Sequence, residues 1–183
     1  MHYLLKKYSI HYSLYLKFYY LLMTITFRAL FFLPFLVSAS VAWAQQSFDL
    51  SVYYDVMASN KIQDIDNELK VLEKFNASSK AAYEGTLMMK KAGLLKKAKD
   101  KIDLFKAGRK KLEAVIKTEP GNAEWRFLRL MIQENAPKAV NYRNELDTDS
   151  KFIVNNYKSL SPVVQQAINS YSKNSKILNS KDF

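Results

Sequence analysis

The chain has 183 residues, with 28 Lys+Arg against 17 Asp+Glu for a formal charge of +11, two His and no Cys. Without a thiol there is no disulfide framework, cysteine nucleophile, iron–sulfur cluster or zinc ribbon. The length points to one domain, and four Gly and four Pro are too few for the turns of a sandwich or barrel.

Residues 1–44 carry Lys6, Lys7, Lys17 and Arg28 and no acid. An apolar stretch of 13 residues runs from Ala29 to Val41, followed by Ala42-Trp43-Ala44 and the polar pair Gln45-Gln46. A positive flank, a short apolar core and small residues two apart describe a secretory signal, because signal peptidase admits only short side chains there. Cleavage is expected after Ala44, with Ala42 and Ala44 as the small residues it reads. As an uncleaved anchor the stretch is short, about 20 Å of helix against a bilayer core of ~30 Å. Residues 1–22 hold six Tyr and both His, and Met23 then opens an ordinary signal n-region. Translation is therefore expected to begin at Met23, with 1–22 a mis-assigned extension.

Cleavage leaves 45–183, placed in the periplasm or outside the cell, with 24 Lys+Arg against 17 Asp+Glu and neither His nor Cys. The commonest general base and metal ligand are gone, and a Ser-His or Cys-His nucleophile cannot be assembled. No enzyme activity, cofactor or metal is expected; a hydrolase built on carboxylates alone is the chemistry that remains. Glu145, Asp147 and Asp149 lack the Gly and bidentate Glu of a calcium loop. Ser78-Ser79-Lys80 lacks the supporting elements of a Ser-Lys enzyme.

Periodicity then gives helices and no strands. Residues 49–58 form a short helix with Leu50, Tyr53, Tyr54 and Met57 on one side. Asn60 is expected to cap a second, in which Ile62, Ile65, Leu69, Leu72 and Phe75 make an amphipathic stripe. Helices over 79–95 and 99–118 follow. The first turns Ala82, Leu87, Met88 or Met89, Gly93 and Leu94 inward; the second turns Ile102, Phe105, Leu112, Val115 and Ile116. Ala107 and Gly108 would let a neighbour approach closely. Residues 122–135 are apolar around most of the circumference and are expected to be the central helix, with Trp125 in the core. Helices over 146–157 and 162–171 close the domain, started by Asn144 and by Ser161-Pro162. The polar tail, 172–183, is expected to fray. The fold class is all-α, a compact bundle or short solenoid of six to seven helices.

The charge surplus is local. Residues 80–117 carry 12 positive and 4 negative side chains, whereas 45–79 carry 3 and 6. Lys90, Lys91, Lys96, Lys97, Arg109, Lys110 and Lys111 form a candidate basic face, read as solvated helix surface or as contact with anionic lipid or lipopolysaccharide. Aromatics are too sparse there for stacked nucleic acid. Arg126, Arg129 and Arg143 are candidate contacts for a partner's carboxylate. The favoured alternative is that Arg126 and Arg129 pair with Glu124, Glu134 or an acid from 145–149.

The junction Leu112-Glu-Ala-Val-Ile-Lys-Thr-Glu-Pro120-Gly-Asn-Ala-Glu-Trp125-Arg-Phe-Leu128 resembles the boundary between tetratricopeptide repeats. An Ala/Ile-rich helix ends in proline, an Asn turn follows, and the next helix opens with Trp and Leu three apart; Gly108 falls near that family's small residue. Arg129 stands where the family has Gly, the turn is one residue short, and no second copy recurs at 34 residues. The resemblance implies a hairpin of 79–95 with 99–118, packed by 122–135, in a protein that binds partners through a groove. The mature chain is also similar to uncharacterised exported helical proteins of bacteria, which brings no activity. The functional expectation is an exported, non-enzymatic interaction domain for a protein partner, with anionic envelope surface as the alternative.

Overall fold

The computed structural model describes residues 17, 19–21 and 48–183. The chain divides after Gln46, and Ser47–Phe183 forms one unit. Residues 17 and 19–21 are helical; Ala42, Ala44, Met23 and the rest of the expected leader lie outside the described residues. The second unit holds seven α-helices: α1 Leu50–Ala58, α2 Ile62–Lys74, α3 Lys80–Leu94, α4 Ala98–Thr118, α5 Ala123–Asn135, α6 Leu146–Asn156 and α7 Pro162–Ser172. No strand occurs among the described residues.

Local chemistry sets most boundaries. Asp49 caps α1 by accepting from the Ser51 amide at 2.8 Å. Asn122 caps α5 by accepting from the Glu124 and Trp125 amides at 3.0 and 3.4 Å. Ser161 caps α7, with Pro162 supplying a preset φ at the first helical position. Two expected caps differ. Asn60 does not cap α2, whose N-cap is Lys61; Asn60 Oδ1 instead accepts from Lys90 Nζ at 3.2 Å. Glu145, not Asn144, precedes α6 and makes no side-chain cap.

The tightest packing lies between α3 and α4. A Cβ added to Gly85 would sit 2.6 Å from the Gly108 carbonyl oxygen, and one added to Gly108 would sit 2.4 Å from that of Gly85. Glycine is required on both sides, because any side chain would push two helix backbones apart. At 100° per residue, Phe105, Gly108, Leu112, Val115 and Ile116 share an arc of about 100° on α4. Ile102 lies beyond that arc and is 48 % exposed, so the inward position expected for it is not found. Gly93 likewise faces out of the core, its place on the buried side of α3 taken by Met89 and Ala92.

α5 is the central helix, with nine buried residues including Trp125, Phe127, Leu128 and Leu130. Rings from α1, α3 and α7 meet those of α5. Tyr83 meets Phe48 and Tyr53 at 4.8 Å and Trp125 at 5.2 Å between centroids, the last two edge-on. The tail is docked rather than frayed. Leu178 is buried, Phe183 packs on the Tyr157 ring at 5.0 Å, and Glu134 accepts from Ser175 Oγ and the Lys176 amide. Three apolar side chains, Ile177, Leu178 and Phe183, and the Glu134 acceptor on α5 anchor a segment whose composition is otherwise polar.

Candidate functional site

Arg129 is buried at 7 % exposure and needs permanent partners. Asp149, fully buried in the first turn of α6, accepts from its Nε at 2.7 Å and Nη2 at 2.8 Å. Glu113 on α4 accepts from Nη1 at 3.0 Å, and its other oxygen accepts from the Tyr142 hydroxyl. Arg126 adds a bond to Asp149 at 3.0 Å and lays its guanidinium 4.2 Å over the Phe152 ring. Burial works against the charge on Arg129, but Asp149 and Glu113 outweigh it and hold the group protonated. These arginines tie α4, α5 and α6 together. Arg143 does not join them; it is exposed and donates to the Ala136 carbonyl at 3.3 Å. Glu113 and Tyr142 were not legible in the sequence, since neither shares a helix face or a spacing with the arginines.

Glu124 is the second internal acid. Its Oε1 accepts from Tyr54 and Tyr83 hydroxyls, each at 3.0 Å. Burial raises its pKa, opposed by those two bonds. In the pH range above the ordinary carboxylate value of 4.5, the folded state therefore holds a proton that the unfolded state has lost, and stability falls as pH rises. Glu124→Gln keeps an acceptor for both tyrosines and removes that titration. Chemical denaturation from pH 4.5 to neutrality should show the wild type losing stability relative to the variant. A constant difference would contradict this. Glu124 and Glu119 both line a shallow cleft beside Ser159 and Ser161, with Glu119 accepting from the Trp125 indole at 2.9 Å.

The candidate basic face is divided by the packing. Lys91 pairs with Asp66 at 2.5 Å, Lys111 with Glu84 at 2.7 Å, and Arg109 stacks 4.4 Å over the Tyr142 ring. Lys96, Lys97 and Lys110 are exposed, and the outer face of α4 adds Lys99, Lys106 and Lys117 to them. Lys90 instead lines a separate concavity of the unit.

That concavity is a groove of about 690 Å³ bounded by α1, α3, α5 and α7, with Phe105 of α4 at one end. The volume falls in the range of ligand-binding clefts, about 300–1,000 Å³. Its floor is the edge of the core, where Met57, Met89 and Met131 are buried at 3, 2 and 9 % exposure beside Ile132, Val163 and Ala167, while Ser51, Asn60, Lys90, Gln166 and Ser170 stand among the lining polar groups. Methionine suits such a floor, since an unbranched thioether re-packs around different partners. Gly93 lines the groove, with no atom of the described residues within 4 Å of a Cβ built on it. The groove was missed in the sequence because its walls come from helices far apart in the chain.

Among the described residues no helix is long and apolar enough to cross a membrane, and no group of three or more ligating side chains could hold a metal ion. Fold and site together define an all-helical unit with a groove floored by buried methionines and open among the described residues. Comparison of the chain with protein-family models, with curated proteins and with solved structures finds no match.

Proposed function

We propose that this chain is an exported, non-enzymatic helical adaptor whose groove receives a segment of a partner protein. The observation that carries the reading is the groove itself: three methionines with Ile132, Val163 and Ala167, from four helices, left open along one side among the described residues, in a unit whose buried arginines are internally paired. The α3–α4 hairpin followed by α5 suits the tetratricopeptide-like junction, and the leader sequence supports export.

Gly93 supplies the test. Gly93→Trp starts its side chain from a Cβ position with no atom of the described residues within 4 Å, at the exposed last turn of α3, so the helical circular dichroism should be unchanged. A phage-displayed library of twelve-residue peptides should yield a consensus on the wild type, and the best peptide should bind Gly93→Trp at least tenfold more weakly. Equal binding to the two proteins, or no consensus, would remove the groove from the function.

A further inference from the structure

The groove also shows what its occupant looks like. Lys90 stands on the same wall of α3 as Met89, Gly93 and Leu94. Its ammonium donates to Asn60 Oδ1 at 3.2 Å, and among the described residues no carboxylate lies within ion-pairing distance of it. The neighbouring residue Lys91 has Asp66, so the helix does not generally leave its lysines without acids. The groove's own acids are placed elsewhere. Glu134 is taken by the Tyr171 and Ser175 hydroxyls at 2.8 Å each and by the Lys176 amide, and Asp55 stands exposed on α1. Burial disfavours the charged form of Lys90. A cation half withdrawn from water and held by one neutral amide gains most from a charge-assisted bond to an incoming carboxylate.

The opposite rim indicates the form of the rest. Gln166, Ser170 and Asn174 on and just beyond α7 line the groove, are exposed, and have no side-chain hydrogen bond among the described residues. Four residues of helix advance about 6 Å. Two residues of an extended chain advance about 6.6 Å. The Gln166 amide and Ser170 hydroxyl, one such repeat apart on α7, can pair with successive outward-facing peptide groups of a strand-like segment, with the Asn174 amide beyond the helix end, while its alternate side chains face the apolar floor of the groove. A fatty acid would satisfy Lys90 but leave these groups without partners.

Resting on the groove reading above, we propose that the occupant is a short extended polypeptide segment, apolar at alternate positions, that sets one Asp or Glu side chain against Lys90. The experiment repeats the peptide selection on the full chain with Lys90→Glu beside the wild type, and titrates palmitate as a competing acid. The wild type is expected to select an apolar pattern with one acid at a fixed position. Lys90→Glu should select the same pattern with Lys or Arg at that position, and should bind the wild-type consensus at least tenfold more weakly. An apolar consensus without an acid, or an acid that persists on Lys90→Glu, overturns this assignment while leaving the groove as a peptide site. Palmitate binding that Gly93→Trp abolishes, with no peptide selected, makes the occupant a lipid acid and overturns both.

Discussion

Asp149→Ala should lower the stability of the helical unit by about 3–5 kcal/mol, the cost of leaving a buried charge without its partner. Asp149 is wholly buried and accepts three bonds, two from Arg129 and one from Arg126. Its removal strands Arg129 at 7 % exposure with only Glu113. For a unit of this size the melting temperature should fall by roughly 10 °C or more. The loss belongs to the uncompensated arginine rather than to the attraction itself, so Arg129→Met/Asp149→Leu should recover part of it. A thermal melt of Asp149→Ala within 2–3 °C of wild type, about 1 kcal/mol, would show that α6 is not held to α5 through this pair.

The second large effect has a sign that helix propensity alone gets wrong. Replacing an interior helical glycine with alanine ordinarily gains up to about 1 kcal/mol. At Gly85 and Gly108 the added methyl meets a backbone carbonyl at 2.6 and 2.4 Å, which no rotamer change can relieve. Gly85→Ala and Gly108→Ala are therefore each expected to destabilise by about 1–3 kcal/mol, as overpacked sites do. Gly93→Ala, in the same helix as Gly85 but facing open space, should be neutral or stabilising. Urea denaturation of the three variants reads the contrast directly. Equal effects at Gly85 and Gly93 would mean that α3 and α4 do not cross at the glycines.

These two sites show what a single sequence reveals and where it stops. Gly108 was recognisable as a place of close approach because a small residue in an otherwise charged and bulky helix has few other uses. Its partner Gly85 was not, since nothing local distinguishes a glycine that receives a helix from Gly93, which receives nothing. Seven helices follow from spacing and from Pro, Asn and Ser at their ends, within a residue or two. Pairing of Arg126 and Arg129 with an acid of 145–149 was also within reach, because a buried arginine must be compensated. Asn60 was outweighed as a cap by a tertiary neighbour, Lys90, whereas Ile102 lies outside the inward arc of its own helix and so was excluded by the local periodicity itself. The docked tail depends on Glu134, forty residues away in sequence, and no periodicity reports that.

The groove assembles residues from α1, α3, α4, α5 and α7, so its existence is a property of the packed unit. Even so, two of its features are written in the composition once the fold is known. The described unit holds four methionines, and three of them, Met57, Met89 and Met131, line the groove while Met88 does not. Among the lysines of α3, Lys90 alone has an amide rather than an acid as its partner.

That distribution offers the most direct test. With methionine methyl groups labelled in carbon-13, the selected peptide should be titrated into the full chain and the methyl resonances followed by NMR. If the groove is the binding site, the methyls of Met57, Met89 and Met131 shift together with one dissociation constant, and that of Met88 stays in place. Movement of Met88 alone, or saturation by peptide with no methyl shift, would contradict binding in the groove.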